Sequence, residues 1–357
     1  MLKKPKILLL MIKKILFFSK LDVHSSAGSG PINSISEIIE NCQITNYSIA
    51  IPKKNYINKK SKLNRKFFTF FNVLRIMSNS DVIIFSSFFS FDSTIIPLIL
   101  SKFLNKKVII SPRGEFLKGK IKNKKYKKHI YIIMFRIFLN SKKFIFHSTS
   151  SDETKSIKYF LNNKITEIPN YGNYELNDSK LKVNNKKIIF FSRISQEKNL
   201  EFAISVFNNL NSNLDLDFHI YGPVSDQNYF KLIEKLILKN NRITYKGVIN
   251  RNNIDKVISN YDLFLFPTFG ENFGHVYVEA IRNQLFTVTS NEVPFNDLSQ
   301  FNIGVNITEF DIKMYVDAIS NYYTDFSLIT ENFRTYLQIK NNDQQSYNQQ
   351  YLQLINN

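Results

Sequence analysis

Nine short apolar runs punctuate residues 6–291, and most are followed by a polar or glycine-bearing loop and then a segment of helical pattern. They are KILLLMIKKILFF (6–18), DVIIFSS (81–87), KVIISP (107–112), KFIFHST (143–149), KKIIFFSR (186–193), DFHIYGP (217–223), RITYKG (242–247), DLFLFPT (262–268) and FTVTSN (286–291). Strand and helix in alternation predict a parallel sheet with crossover helices, an α/β class. Nine strands are too many for one small sheet. The polar, turn-rich stretch NYGNYELNDSKLKVNNKK (170–187) marks a break. Two doubly wound, Rossmann-like domains follow, 1–175 and 176–335, each long enough for its own core. The remainder, 336–357, is polar with few apolar anchors and reads as a terminal helix on the surface.

Charge separates the same two halves. Residues 1–180 hold 32 Lys and Arg against 11 Asp and Glu, a net +21, while the rest hold 16 against 18, a net −2. The densest basic run lies in FLKGKIKNKKYKKHIYIIMFRIFLNSKK (116–143), where Lys118, Lys120, Lys122, Lys124, Lys125, Lys127 and Lys128 lead into an apolar, helix-like segment. A basic run joined to an apolar helix suits an anionic membrane surface, at about 1 kcal/mol per lysine. A buried helix behind a solvated lysine loop has the same composition. Nucleic acid is not expected as a partner, because no helix-turn-helix, zinc finger or RNA-binding aromatic signature accompanies the charge.

Cys42 is the only cysteine, which excludes an internal disulfide and fits a reducing compartment. The five histidines (His24, His129, His147, His219, His275) show no metal-ligand spacing, so no metal and no cofactor is expected. Lys13 and Lys14 interrupt the apolar N-terminal run, and no cleavage site for a signal peptide follows. Residues 82–100 approach membrane-spanning length, but Asp92, Pro97 and four serines argue for a strand, a loop and a helix start. The expected location is the cytoplasm, with peripheral contact at the inner face of the cytoplasmic membrane.

Open parallel sheets bind ligands at the carboxyl ends of their strands. The loop PTFGENFGHVYVEA (267–280) follows such a strand and runs into a helix. A helix beginning near Gly274 leaves the N–H groups of about Gly274, His275 and Val276 without intrahelical acceptors, a site suited to phosphate. Glu271 lies in the loop and Glu279 in the helix; at 100° per residue they point about 80° apart around the axis. A carboxylate accepts readily from a vicinal diol. The string therefore fits a nucleotide-sugar, with sugar, phosphates and ribose in a row. Taken singly, each acid is equally well a helix N-terminus satisfying its dipole. FFSRISQEKNLEFAI (190–204) places Arg193 and Lys198 across another such turn, where both reach one diphosphate; a solvated pair is the plainer alternative. Gly222 ends the strand HIYGP. In the first half, Gly28 and Gly30 lie in a small-residue loop after the first strand. Arg113 of SPRGEF points toward a cleft with Glu115 nearby, or forms a surface ion pair of little worth.

Together, SPRGEF, HSTSSDE, IPNYGN, FFSRISQEKNL, HIYGP, YDLFLFPTFGENFGHVYVEAI and SNEVPFNDL resemble glycosyltransferase family 4, the retaining group 1 transferases of GT-B fold, from about residue 107 to 305. The resemblance implies two Rossmann-like domains facing across a cleft, the C-terminal one holding a UDP- or GDP-sugar donor and the N-terminal one a glycan or polyprenyl-pyrophosphate-linked acceptor. By position, Glu271 would contact the donor sugar and Glu279 the ribose. Arg193 and Lys198 would bind the diphosphate, helped by amides from Phe273 to Val276. The setting implied is polysaccharide assembly, such as O-antigen or capsule. Departures are visible. Where many members have a glycine after the second glutamate's helix and a proline two residues on, this chain has Gln284 and Phe286, so the turn into FTVTS should differ. Phe295 stands where tryptophan is frequent, and Arg113 is nearest to a common histidine. The first-strand loop lacks paired glycines. A nucleotide-sugar epimerase of the same fold, or a non-catalytic nucleotide-sugar or lipid-binding protein, are the alternatives. Product analysis separates the first from a transferase, and turnover the second.

Overall fold

The computed structural model describes residues 13–22, 30–117, 125–139, 143–178, 185–250, 253–324 and 329–356. The chain divides into two compact units, one of residues 1–171 with 346–357, the other of residues 172–345.

The first unit is built on β1 (Ile15–Phe18), β2 (Tyr47–Pro52), β3 (Arg65–Phe68), β4 (Val82–Phe85), β5 (Lys107–Ile110), β6 (Phe144–Ser148) and β7 (Lys164–Glu167), in the order β3-β2-β1-β4-β5-β6-β7. Every pair is parallel. Side chains alternate across such a strand, and here both faces are covered. Leu16, Phe18, Ile83, Phe85, Val108 and Ile110 face one core, under helices Val73–Ser78, Ile96–Ser101, Lys125–Phe138 and Ser151–Phe160. Ile15, Phe17, Val82, Ile84 and Ile109 face the other, under helix Gly30–Asn41. Burial on two faces is why these strands read as unbroken apolar runs. Within residues 82–100, a strand, a loop and the helix Ile96–Ser101 stand as the sequence predicts. Among the described residues no helix is long and apolar enough to cross a membrane.

The second core of this unit is completed from the far end of the chain. The last helix, Thr330–Asn356, is 27 residues long. Its first part belongs to the second unit and its residues from 346 onward to the first. Tyr351, Leu354 and Ile355 are buried there, spaced to share one helix face. Lys13 donates to the carbonyl of Asn356 at 2.7 Å and Lys107 to that of Leu354, so two ammonium groups meet the negative end of the helix. The tail is therefore a core element rather than a surface helix.

Tyr351 also reaches His147, whose Nε2 lies 2.9 Å from its hydroxyl and 2.9 Å from the Ile168 carbonyl, while Nδ1 lies 2.7 Å from Ser111 Oγ. Burial, with the Arg113 charge nearby, pushes the imidazole down to about 3. A histidine held neutral contributes stability above its unfolded pKa of about 6.5, and that contribution is lost as pH falls toward 3, at up to about 1.4 kcal/mol per pH unit. Denaturant titrations of His147→Gln should show a flatter loss of stability between those pH values than wild type. Parallel curves would remove this assignment. The buried Glu153 carboxyl, raised by desolvation, has the opposite sign and remains in both proteins.

The second unit repeats the plan with β8 (Lys187–Phe191), β9 (Asp217–Tyr221), β10 (Ile243–Tyr245), β11 (Leu263–Phe266), β12 (Phe286–Ser290) and β13 (Gly304–Ile307), in the order β10-β9-β8-β11-β12-β13 and all parallel. Its core takes both sheet faces and the helices Leu200–Asn208, Gln227–Ile237, His275–Arg282 and Ile312–Thr324. The turn expected to differ at Gln284 keeps left-handed geometry, with φ +56°. Leu285 N–H donates to the Ala280 carbonyl and Gln284 N–H to that of Ile281, a Schellman ending usually given to glycine. The glutamine is held there because Thr330 Oγ1 donates to its side-chain oxygen at 2.8 Å.

Candidate functional site

Strand order in the second sheet reverses between β8 and β11. Such a reversal opens a crevice at the carboxyl ends of the two strands. The loop leaving β8 carries Arg193 and Lys198, and the loop leaving β11 carries Glu271. The loops are tied by backbone: the Glu197 carbonyl accepts from Phe269 N–H at 3.0 Å and from Thr268 Oγ1 at 3.1 Å.

Lys198 is the centre of this arrangement. A 3-10 turn, Gln196–Lys198, is followed by Asn199 in the left-handed region, and this turns the lysine inward. Its side chain is 4% exposed and donates to Glu271 Oε1 at 2.6 Å, with Glu271 17% exposed. The ammonium also lies 5.9 Å from the Phe266 ring centroid. A lysine this buried needs a partner. The sequence reading assigns the two residues to different parts of a ligand; the structure joins them as an ion pair. Arg193 is not part of it. Its side chain is 46% exposed and only approaches Glu197, at 4.0 Å, on the rim.

The helix after Glu271 runs His275–Arg282, capped by Gly274 at φ +73°. A Cβ at Gly274 would come within 2.5 Å of the Tyr277 ring, so glycine is needed for packing as well as backbone. That ring is fixed: Thr289 Oγ1 donates to the Phe266 carbonyl, leaving the Tyr277 hydroxyl to donate to Thr289 at 2.6 Å. Phe273 is a core side chain, its ring 5.9 Å from that of Phe295 and 4.8 Å from that of His275, so only its backbone is offered to a ligand. His275 and Val276 are half-buried in the first helical turn, and Glu279 is half-buried further along the same helix. Gly222, at φ +147°, is buried where its backbone crosses that of the β8 loop; a Cβ there would stand 1.6 Å from the Ser192 carbonyl oxygen.

In the first unit, Gly30 opens helix Gly30–Asn41, while Gly28 lies outside the described residues. Arg113 has φ +52° and donates to Asn170 Oδ1 at 2.7 Å, and its Nε is buried with no partner. The surface ion pair with Glu115 is not what forms. Glu115 accepts from Ser87 Oγ at 2.8 Å and from the N–H groups of Phe88 and Phe89 at 2.6 and 3.0 Å, fixing the loop after β4. Two further residues lie within HSTSSDE and IPNYGN, strings to which the sequence reading gave no individual role. Glu153 is buried, accepting from Gly114 N–H and from Thr149 N–H and Oγ1, and Asn170 orients Arg113. Their sequence signals were those two strings and an acid and an amide just after strands. Among the described residues no group of three or more His, Cys, Asp or Glu is placed to hold a metal ion.

Residues 174–344 match the sequence model of the family described as "Glycosyl transferases group 1". No curated protein sequence matches the chain. Among solved structures, Anabaena HepE, crystallised with UDP and glucose, superposes at TM-score 0.72 with 15% identity, over 96% of this chain and 99% of that one. WaaG, a glycosyltransferase involved in lipopolysaccharide biosynthesis, gives 0.69 at 14% identity over 96% and 99%. Sucrose-phosphate synthase from Thermosynechococcus elongatus gives 0.71 at 14% identity over 96% and 98%. The fold is thus GT-B, two Rossmann-like domains, and the second unit is similar in sequence to the group 1 glycosyl transferases.

Proposed function

We propose that this protein moves a sugar, with retention at the anomeric carbon, from a UDP- or GDP-sugar to a glycan or polyprenyl-pyrophosphate-linked saccharide in cell-surface polysaccharide assembly, such as O-antigen or capsule. The observation that carries the reading is the buried Lys198–Glu271 pair at the strand-order reversal of a unit matching the group 1 family. In the reaction the C1–O bond to the diphosphate breaks with its electron pair going to the diphosphate oxygen, a C1–O bond to the acceptor hydroxyl forms, and the hydroxyl proton passes to the departing diphosphate. Lys198, with Arg193 from the rim, meets charge growing on the departing diphosphate, a form of stabilisation strongest in a water-poor site. Glu271 holds the sugar hydroxyls and Glu279 the ribose. The amides from Phe273 to Val276 face a phosphate, and Gly222 shapes the floor of the site. No metal is assigned; the role of meeting that charge is given to Lys198 and Arg193. Gly28, Gly30 and Arg113 are assigned to the acceptor.

The work is placed at the inner face of the cytoplasmic membrane, through the basic segment 116–143. In its support, helix Lys125–Phe138 leaves Ile130, Ile133 and Met134 60–66% exposed at i, i+3 and i+4. Such a stripe suits an interfacial helix.

The donor site is tested by thermal stabilisation with UDP, GDP, ADP and CMP on wild type and Glu279→Ala. A nucleotide at 100 times its Kd adds about 2.7 kcal/mol. One diphosphate should raise the melting temperature of wild type and not of the variant. Silence from every nucleotide at millimolar concentration would end the donor-site reading.

A further inference from the structure

Residues 53–79, KKNYINKKSKLNRKFFTFFNVLRIMSN, contain eight basic residues and no acid. One of the eight is structural: Arg65 is buried and pairs with Asp22 at 2.5 Å. Lys53, Lys54, Lys59, Lys60, Lys62, Lys66 and Arg75 are exposed. Between them the chain leaves large apolar side chains in water. Phe71 is 94% exposed, Phe70 65% and Leu74 42%. Phe70 and Phe71 meet edge-to-face, their ring centroids 5.9 Å apart. Phe103, in the segment after the neighbouring helix Ile96–Ser101, is 80% exposed. Two adjacent phenylalanines in the connection before a six-residue helix cost solubility without adding to the core.

Beside them is a basin of about 290 Å³ lined by Lys14, Lys66, Arg75, Asn72, Asn79 and Ser48 among others. Asn72 directly follows Phe71, so the cationic basin and the aromatic pair share one connection. The acid nearest in sequence, Asp81, lies outside the lining and accepts from Lys14 N–H at 2.7 Å. Three cations around a polar hollow fit a phosphate group, and exposed phenylalanines beside it fit the acyl boundary of a bilayer.

We propose that residues 53–79 form a membrane-docking surface, in which Phe70 and Phe71 enter the interface of an anionic bilayer and the Lys14–Lys66–Arg75 basin takes a lipid headgroup phosphate. It extends the membrane placement made above to different elements, and it stands whether or not the donor site is as described. A second protein is the weaker fit: the partly exposed acid Asp92 is paired to this segment, 2.5 Å from Lys54, but an excess of lysine that large is not the mixed polar rim of a protein interface.

The test is flotation of the full-length chain with vesicles of phosphatidylcholine alone, or mixed with phosphatidylglycerol. Wild type should float with the mixed vesicles only. Phe70→Ser/Phe71→Ser and Lys66→Glu/Arg75→Glu should each weaken that partitioning at least about tenfold. All these side chains are exposed, so circular dichroism and any nucleotide-induced thermal shift should be unchanged. The proposal is overturned if wild type fails to float, or if both double variants float like wild type while Ile133→Ser/Met134→Ser does not. It is also overturned if orthophosphate stabilises wild type but not Lys66→Glu/Arg75→Glu and no vesicle is bound, which would make the basin a free-phosphate site.

Discussion

Lys198→Ala should lower kcat for transfer from the nucleoside diphosphate sugar about 100- to 1000-fold. Loss of one preorganised group facing the charge of a transition state has that size. Arg193→Ala, on the exposed rim, should cost far less. Glu271 is expected to act on stability as well as rate. Its removal leaves a 4%-exposed ammonium without its 2.6 Å partner. Breaking such a pair from one side costs on the order of 3 kcal/mol. A diphosphate that then bonds the orphaned lysine should stabilise Glu271→Ala more than wild type. Single-turnover kinetics and nucleotide-dependent melting separate the two effects. Lys198→Ala retaining kcat within a factor of three would sink the assignment.

Gly222→Ala should be the most damaging small substitution in the second unit. The added methyl carbon would lie 1.6 Å from the Ser192 carbonyl oxygen, and both atoms belong to backbone, so no side chain can swing aside. Separating the two loops also strains the Ser192 N–H bond to Tyr221 and the Gly222 N–H bond to Gly247. The expected loss is about 4 kcal/mol, or about 8–16 °C in melting temperature for a unit of this size. Gly270 supplies the control. It has φ +156°, but nothing lies within 4 Å of its Cβ position, so Gly270→Ala should cost about 1 kcal/mol. Equal losses at the two positions would show that backbone conformation, not the close approach, sets the need for glycine.

These two sites differ in how far the sequence revealed them. The strings around Lys198 and Glu271 stood out because both follow buried strands. Their contact spans 73 residues and depends on strand order, which periodicity does not report. Gly222 read as a turn residue, since nothing local discloses a neighbouring loop's carbonyl. All nine apolar runs hold strands, and among the described residues four further strands were missed. β3, β7 and β13 lie at sheet edges, where one-sided pairing tolerates sequences as polar as KITE. β2 is interior, but Ser48, Ala50 and Pro52 dilute its apolar signal. The tail was misread for a related reason. Its three buried residues keep helical spacing, yet the glutamines and asparagines around them dominate the composition.

That tail bears on how the chain acquires its structure during synthesis. Domains ordinarily fold in the order in which they leave the ribosome. Here Tyr351, Leu354 and Ile355 close a core whose other members begin at Ile15. The first unit to emerge is therefore the last to be finished. Ile35, Ile39 and the apolar face of β1 and β4 wait, incompletely covered, while the whole second unit is translated. A nascent chain of this kind has a long interval in which a chaperone, or an unwanted neighbour, can occupy the place reserved for its own last helical turns.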